Sequence, residues 1–453
     1  MVPSLSESGR KRQIYLATAK GIAHLPAGEP VMEPMAANAL PQPPAPPADA
    51  AVLPTAADVR AAAARIKGRV MRTPLVRAEK LSALAGADLW LKLESLQYTG
   101  AFKERGALNK LLTLSGADRK RGVIAASAGN HAQGLARHAR ALGVPATIVM
   151  PETTPDVKVR QTRALDAEVV LAGHTFEEAR ERADALCAER GLIFVHPFDD
   201  AEIIAGQGTI ALEMIEDGPR FDVLIAPIGG GGLISGMALA AENASPATRV
   251  IGVQSALFPS MKNAVDGARR AVGGNTLAEG IAVREAGALT RRIVSRLVDD
   301  IVLADERTLE RALSLLMNEQ KMLVEGAGAA GLAAILADPA RFAGKTVGLV
   351  LCGGNIDARL LSMILMRDLA RSGRLARLRV QLLDIPGQLV RVATIIAEQD
   401  GNVIDVGHHR TYSDLPAKMT CMDVTIDTQG QDHLDRIIAN LRLGGYEVEI
   451  AAY

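Results

Sequence analysis

Residues 222–236 read DVLIAPIGGGGLISG, and this stretch decides the fold class of the chain. Its opening apolar run has the length and composition of a strand buried on both faces. Four consecutive glycines follow, and four are improbable as loop filler because each adds backbone entropy that folding must remove. Backbone free of side chains can surround a phosphate at the start of the next helix. A purely structural loop remains the alternative, and neither a Walker loop nor a GxGxxG fingerprint is present.

Similar short apolar runs recur along the chain and alternate with Ala-rich, charge-bearing stretches of helical spacing. Strands separated by helices predict parallel α/β sheets covered by helices on both faces. Ligands in this architecture bind beyond the carboxyl ends of the strands. The other predicted strands are Ala146–Met150, Glu168–Leu171, 192–195, 249–253 and 346–351.

The pattern changes after residue 372 and predicts a separate C-terminal domain. Its order of strand, helix, two strands, helix and strand is the βαββαβ order of a ferredoxin-like fold. The predicted strands are 378–383, Asn402–His409, 419–425 and 446–451, and the predicted helices are 388–399 and 432–442.

Composition excludes several classes of function. Lysine and arginine total 51, as do aspartate and glutamate, and no basic stretch carries interleaved aromatics, which disfavours nucleic-acid and anionic-membrane binding. Three cysteines without paired spacing indicate a reduced, cytoplasmic protein. We expect no membrane helix and no signal peptide. Residues 1–50, rich in proline and alanine, are expected to form a disordered extension.

Two further segments are candidates for chemistry. Residues 99–107 (TGAFKERGA) place Lys103 in an apolar, glycine-flanked setting where desolvation lowers an amine pKa, as a Schiff-base lysine requires. A surface lysine at a helix start is the simpler alternative. Residues 126–134 (ASAGNHAQG) follow an apolar run, so a turn of small residues exposes backbone N–H groups that suit a carboxylate. Here the alternative is a turn capped by Ser127.

A fourth segment, residues 351–355 (LCGGN), closes the last predicted strand of the main domain. A lone cysteine at a strand end is usually a small core residue. Cys352 could also face a cofactor and bond a ring nitrogen.

In their order and spacing along the chain, these four segments resemble the fold-type II pyridoxal-phosphate enzymes, most closely the threonine dehydratases. The resemblance extends from about Thr55 to Tyr453. It implies two parallel-sheet α/β subdomains and a C-terminal ferredoxin-like ACT domain. The implied large domain comprises residues 51–115 and 200–372, the small domain 116–199 and the ACT domain 375–453. It also implies a homodimer or homotetramer.

The resemblance implies a role for each matching residue. Lys103 would bind pyridoxal 5′-phosphate covalently and remove the substrate Cα proton. The remaining cofactor contacts would be Phe102, Asn130, Gly229, Gly230, Gly231, Gly232, Leu233 and Cys352. The substrate carboxylate would lie among Ser127, Gly129, Asn130 and His131.

The implied reaction is deamination of L-threonine to 2-oxobutanoate and ammonia, with L-serine giving pyruvate. A neutral thiol at Cys352 protonates the ring nitrogen poorly, which favours early loss of a β-leaving group. Ala128 stands where serine racemases carry a second serine, so racemisation should be poor. Ala101 replaces a serine found in many relatives, and little effect is expected. Gln254 replaces a metal-binding glutamate, so no metal is expected.

The C-terminal segment carries the ACT-like sequence LLDIPGQL at residues 382–389. The resemblance implies amino-acid control, with isoleucine as the leading effector, at Asp384, Pro386, Gly387 and Asn402. A purely structural role in holding an oligomer together is the alternative.

Three other functions remain open from the sequence. One is β-replacement of the cysteine-synthase type, although its asparagine-loop sequence differs from residues 127–131. Another is threo-3-hydroxyaspartate ammonia-lyase, which needs a cationic contact that the sequence does not assign. The third is a catalytically silent amino-acid sensor, which the intact Lys103 argues against.

Overall fold

The computed structural model describes residues 52–409 and 415–451. The extension predicted to be disordered, residues 1–50, lies outside the described residues. Three sheets organise the described chain, and its strands are numbered in chain order. The first ten are β1 (Leu75–Arg77), β2 (Asp88–Lys92), β3 (Val123–Ala126), β4 (Ala146–Met150), β5 (Glu168–Leu171), β6 (Ile193–Phe194), β7 (Val223–Pro227), β8 (Arg249–Ser255), β9 (Asp300–Ala304) and β10 (Thr346–Val350).

Two parallel sheets form the main part of the molecule. The larger has six strands in the order β1-β2-β10-β7-β8-β9, and only the β1–β2 pair is antiparallel. The smaller has four parallel strands in the order β5-β4-β3-β6, all within the range predicted for the small domain. This is the α/β architecture of two parallel-sheet subdomains that the sequence predicts.

Helices cover both sheets. The first, α1, shows how the sequence sets a boundary: Thr55 Oγ1 accepts the Asp58 N–H while the Asp58 carboxylate accepts the Thr55 N–H, which forms a capping box. The helices of this region are α1 (Ala56–Ile66), α2 (Glu79–Ala85), α3 (Lys103–Thr113), α4 (Gly116–Arg121), α5 (Asn130–Ala141), α6 (Asp156–Arg163), α7 (Phe176–Arg190), α8 (Ala201–Asp217), α9 (Gly232–Ala244), α10 (Ser260–Asp266), α11 (Ala288–Leu297), α12 (Glu306–Gln320), α13 (Gly326–Ala337), α14 (Pro339–Phe342) and α15 (Ala358–Arg371).

The C-terminal domain is an antiparallel sheet with two helices. Its strand order is β12-β13-β11-β14, and α16 and α17 share an apolar core with one face of the sheet. The elements are β11 (Leu375–Leu383), α16 (Gln388–Glu398), β12 (Asn402–His409), β13 (Met419–Asp427), α17 (Gln431–Leu443) and β14 (Glu447–Ile450). This order fits the ACT-like domain that the sequence predicts.

The sequence prediction missed three strands, β1, β2 and β9. Strand β2 alternates, with Leu89 and Leu91 fully buried, but charged residues begin and end it. Lys92 at its end is itself buried, because its Nζ lies 2.6 Å from Glu213 Oε2 on α8. That partner is distant in sequence, so the burial of a lysine was not predictable from β2 alone. The predicted strand 192–195 is also shorter than expected, since β6 spans two residues.

Candidate active site

The predicted segments converge at the carboxyl ends of parallel strands. Lys103 follows β2, the four glycines follow β7 and Cys352 follows β10, and these three strands are neighbours in the large sheet. The segment from Ser127 to His131 follows β3 of the small sheet. Parallel strands bring the loops at their carboxyl ends to one edge, where α/β proteins bind ligands.

Lys103 is the first residue of α3 and points into this convergence. The preceding Phe102 N–H donates to the Cys352 carbonyl at 3.0 Å, which fixes the start of α3 against the end of β10. Lys103 Nζ donates to the Pro197 carbonyl at 2.7 Å and lies 5.2 Å from the centre of the Phe102 ring. Burial lowers the pKa of Lys103 to about 8, although the nearby Cys352 and Glu325 oppose that shift. A nucleophilic amine near neutral pH is the result.

The lowered pKa of Lys103 predicts how this amine would react with pyridoxal phosphate, the aldehyde that the resemblance implies. Only the neutral amine attacks an aldehyde, so the rate of capture should rise about tenfold per pH unit below the pKa and level off above it. We expect the midpoint at about pH 8, whereas an exposed lysine would give ~10.4. Stopped-flow absorbance against pH measures this. A Lys103→Ala protein reports any capture by other lysines, and a wild-type midpoint near that of an exposed lysine would contradict the assignment.

Two of the four glycines occupy positions where a side chain would collide with neighbours, and the other two are closely packed. A Cβ on Gly230 would lie 2.3 Å from three carbons of the Phe198 ring, and one on Gly231 would lie 2.6 Å from Met261 Cε. Gly231 also has a φ of 100°, a conformation that glycine favours, and it caps α9. Thr290 Oγ1 donates to the Gly230 carbonyl at 2.6 Å and holds the loop in place.

The backbone N–H groups of this loop fit a phosphate. Within the described residues, the amides from Gly229 to Leu233 donate no hydrogen bond to a loop or side-chain acceptor. Three of them, from Gly231 to Leu233, lie at the N-terminal end of α9, where the helix dipole favours an anion. Free donors, glycine-only packing and a helix N-terminus together match the requirements of a phosphate group.

A short loop, residues 196–199, contacts both Lys103 and the glycine loop. Pro197 supplies the carbonyl that accepts from Lys103, and the adjacent Phe198 packs on Gly230 and Gly232. His196 Nδ1 accepts the N–H groups of Phe198 and Asp199 at 3.3 and 2.8 Å, which bends this loop back on itself. Burial lowers the pKa of His196 to about 3, so the ring is neutral and Nδ1 remains an acceptor.

The segment after β3 forms the start of α5. Gly129 is the N-cap without a side-chain capping bond, so the alternative in which Ser127 caps the helix is wrong. Ser127 Oγ instead accepts the Gly129 N–H at 3.3 Å. The first N–H groups of α5, beginning with Asn130 and His131, have no acceptor within the helix. They suit a carboxylate, as the sequence suggests.

The geometry of His131 limits the part its side chain can play. Its Nε2 lies 3.0 Å from the Val195 carbonyl, and because a carbonyl only accepts, Nε2 carries the proton. Burial lowers the pKa of His131 to about 3, so the ring is neutral and Nδ1 holds a lone pair. Nδ1 is buried and has no hydrogen-bond partner among the described residues. A lone pair cannot bind a carboxylate, so only the backbone N–H of His131 suits that task.

Cys352 and Glu325 add two polar side chains to the site. Cys352 is buried, and burial raises the pKa of its thiol, so the sulfur is protonated at neutral pH. Burial likewise raises the pKa of Glu325, whose Oε1 accepts from Asn130 Nδ2 at 2.9 Å. Sequence reasoning did not assign a role to Glu325. Its position as the single charge before the Gly/Ala-rich helix α13 was the available signal.

A buried ionic network anchors the helix that carries Lys103. Arg105, two residues further along α3, is fully buried and donates to Glu94 and Glu213 at 2.7–2.8 Å. Lys92 also binds Glu213, so two cations balance two carboxylates. Arg105 and the hydrogen bond from Thr73 outweigh burial and lower the pKa of Glu94. The network ties α3 to α8 and to the end of β2.

The structure does not bring together all four predicted effector residues within one chain. Gly387 is the N-cap of α16, directly after Asp384 and Pro386, at the end of β11 that pairs with Met419. Asn402 pairs with Asp427, at the opposite end of the same sheet, where Leu375 also lies. The eight-residue step along β11 corresponds to about 27 Å. Asn402 therefore lies apart from the other three.

Gln254, the residue singled out by the sequence reasoning on metals, lies in β8 and forms local hydrogen bonds. Its side chain accepts the Lys262 N–H at 2.9 Å and donates to Ser260 Oγ at 3.4 Å, which engages the carboxamide in local structure. In the described part of the chain no group of three or more His, Cys, Asp and Glu is arranged to hold a metal ion.

Comparison with known proteins shows which family this chain matches. A family described as pyridoxal-phosphate dependent enzyme matches residues 66–353. The chain is 43% identical over 398 residues to an L-threonine ammonia-lyase of Thermotoga maritima, covering 87% of this chain and 99% of that protein. It is 44% identical over 389 residues to an L-threonine ammonia-lyase of Geobacter sulfurreducens, covering 85% and 96%.

A solved threonine deaminase, the processed form of isoform 2 from Solanum lycopersicum, has a similar structure. The TM-score is 0.64 at 35% identity, and the match covers 68% of this chain and 86% of that chain. Over residues 52–409 and 415–451, no helix is long and apolar enough to span a membrane.

Proposed function

This chain belongs to the pyridoxal-phosphate dependent enzymes, and on that premise we propose that it deaminates L-threonine to 2-oxobutanoate and ammonia. The proposal includes L-serine as a second substrate, with pyruvate as product. One observation carries it: Lys103, with its pKa lowered to about 8, lies where the glycine loop, Cys352 and the α5 N-terminus converge. The similarity to two L-threonine ammonia-lyases over most of the chain supports the choice of substrate.

We propose that backbone and side chains divide the binding task. The amides of Gly229, Gly230, Gly231, Gly232 and Leu233 hold the cofactor phosphate. Phe102 packs beside the cofactor ring, Asn130 donates to its 3′-oxygen and the Cys352 thiol faces its ring nitrogen. The substrate carboxylate binds the N–H groups at the start of α5, with Ser127 and Gly129 beside it. Among the described residues no side chain caps α5, and its first N–H groups have no acceptor within the helix, which supports this arrangement.

Lys103 acts twice in the proposed reaction. Its amine would hold the cofactor covalently and, once free, would remove the substrate Cα proton. When bound, pyridoxal phosphate supplies an electron sink conjugated to the substrate Cα. Loss of that proton and the β-hydroxyl releases one water. Hydrolysis of the enamine product consumes one water, so the net products are the 2-oxo acid and ammonia.

Two residues favour elimination over other outcomes. The Cys352 thiol is neutral because burial raises its pKa, so it protonates a ring nitrogen poorly and long-lived negative charge at Cα is not well stabilised. Immediate departure of a β-leaving group relieves that charge. Ala128 offers no hydroxyl to return a proton to the opposite face of Cα. Both features support a lyase rather than a racemase.

We propose amino-acid control by the C-terminal domain, with isoleucine as the inhibitor. The Pro386-Gly387 turn and the N-terminus of α16 support a ligand site, and Asn402 of the same chain is too distant to join it. Coupling between such a site and the active site is commonly ~1–3 kcal/mol. The proposal further includes a homodimer or homotetramer in the cytoplasm, which rests on the resemblance and on the sparse cysteines.

Serine with sulfide distinguishes elimination from β-replacement. The holoenzyme should form pyruvate and ammonia from L-serine whether or not sulfide is present, because the proposed reaction ends with release and hydrolysis of the enamine. Chromatographic detection of cysteine alongside enzymatic detection of pyruvate measures the ratio. Cysteine as the main product would favour a synthase.

Adding L-isoleucine should lower the rate about fivefold or more, and no change would leave the C-terminal domain with a structural role.

A further inference from the structure

The carboxamide of Asn130 is hydrogen-bonded at both ends. Its Nδ2 donates to Glu325 Oε1 at 2.9 Å, and its Oδ1 accepts from Asn355 Nδ2 at 2.8 Å. An amide nitrogen has two N–H groups, so one remains after the bond to Glu325. No other acceptor for Asn130 Nδ2 is present among the described residues. The remaining N–H is available to a ligand.

The orientation of Asn130 follows from an unambiguous acceptor. Asn355 Nδ2 also donates to the Thr99 carbonyl at 2.7 Å, and because a backbone carbonyl can only accept, the nitrogen end of Asn355 must face it. Both N–H groups of Asn355 are then used, on Thr99 and on Asn130. The atom of Asn130 that faces Asn355 must therefore be oxygen. Its nitrogen consequently faces Glu325, whose carboxyl accepts.

Packing holds both partners in place. Asn355 lies against Gly100, where a Cβ would come within 2.5 Å of Asn355 Oδ1. Glu325 Oε1 lies where a Cβ on Gly353 would come within 2.6 Å, and the Glu325 N–H donates to the Gly353 carbonyl at 3.0 Å. Glycine at positions 100 and 353 thus leaves the room that these two side chains occupy.

We propose that Asn355 and Glu325 are positioning residues that fix the Asn130 carboxamide with its N–H side towards the 3′-oxygen of pyridoxal phosphate. This inference rests on the cofactor site of the proposed function and extends it by two residues. In the reversed orientation a lone pair of Oδ1 would face the electron-rich 3′-oxygen, and repulsion would replace a hydrogen bond. The relay from Thr99 through Asn355 to Asn130 prevents that reversal.

Asn355→Asp tests the relay with almost no change in size. A carboxylate offers only acceptors, so it faces both the Thr99 carbonyl and Asn130 Oδ1 without a donor and favours the reversed Asn130. Loss of one hydrogen bond to the cofactor should weaken its binding about tenfold. The balance between the visible and near-ultraviolet absorbance bands of the bound cofactor should also shift, since it depends on hydrogen bonding at the 3′-oxygen. Both readouts use protein without substrate.

Glu325 provides a pair of variants that separates an acceptor from a charge. Glu325→Gln retains an oxygen that can accept from Asn130, so its spectrum and cofactor dissociation constant should stay within about twofold of wild type. Glu325→Met removes the acceptor and should reproduce the shift seen in Asn355→Asp. Asn440→Asp is the matched control, because Asn440 bonds a carbonyl of its own helix in the C-terminal domain and should change neither readout.

Three outcomes would overturn the inference. Folded Asn355→Asp with wild-type spectrum and affinity would refute the relay. If Asn355→Asp does not fold, the Glu325 pair decides, and equal losses in Glu325→Gln and Glu325→Met would refute the acceptor role. If wild-type protein with added cofactor showed no visible absorbance band, the proposed cofactor site would be contradicted. A normal band without activity on threonine would instead contradict the proposed function and leave this test intact.

Discussion

Lys103→Ala should lower 2-oxo acid formation from L-threonine by at least about 10³-fold, since general-base catalysis alone typically contributes ~10²–10⁴. The covalent link to the cofactor is lost in the same variant, which adds to the effect. The amine lies at the start of α3, with Nζ 2.7 Å from the Pro197 carbonyl, and burial lowers its pKa to about 8. A coupled assay of 2-oxo acid under steady-state conditions measures the loss.

Lys110→Ala is the matched control for this prediction. Lys110 lies on the same helix and pairs with Asp200 at 2.6 Å, so its removal changes charge without touching the convergence of loops. Its activity should stay within about threefold of wild type, because this partly buried pair lies outside the groups proposed to bind cofactor or substrate. Retained activity in Lys103→Ala, or equal losses in both variants, would contradict the role given to Lys103.

Arg105→Ala should lower the free energy of unfolding by about 3–5 kcal/mol, because removing one partner of a buried ion pair leaves uncompensated charge. The carboxylates of Glu94 and Glu213 would lose four charge-assisted hydrogen bonds from the guanidinium. Lys92 could still neutralise Glu213, which keeps the expected loss within this range. Urea unfolding followed by circular dichroism of the apoprotein measures the change.

Arg77→Ala shows what an exposed ion pair contributes in the same sheet. Arg77 Nε lies 2.6 Å from Asp88 Oδ1, and the arginine side chain is 54% exposed. We expect this variant to lower the urea midpoint far less than Arg105→Ala, because solvent screens an exposed ion pair. If Arg105→Ala were no more destabilising than Arg77→Ala, the buried network would not be what anchors α3.

The fold was predictable wherever local pattern and burial agree. Strands β4 and β5 have the predicted ends, because short apolar runs between turns define them. Strand β12 also has its predicted ends, although most of its residues are exposed. Strand β2 was missed because its register depends on β10, more than 250 residues later in the chain. Nothing in residues 88–92 themselves indicates that β10 is their partner strand.

The candidate site was predictable as segments but not as contacts. Glycine runs and the small-residue turn before α5 are visible in sequence because each reflects a backbone requirement. The bonds that join Asn130 to Glu325 and Asn355 span 195 and 225 residues. The limit on His131 likewise depends on the Val195 carbonyl, which no pattern around residue 131 indicates. Long-range pairing of polar groups is what the structure adds.

The most direct test of the account is the product formed from L-threonine by the holoenzyme. Purified protein with pyridoxal phosphate should release 2-oxobutanoate and ammonia in equal amounts, and Lys103→Ala should release neither above background. Mass spectrometry of the 2-oxo acid, with an enzymatic ammonia assay, gives both quantities from one sample. Cofactor-loaded wild-type protein that forms no 2-oxo acid from threonine would contradict the proposed function.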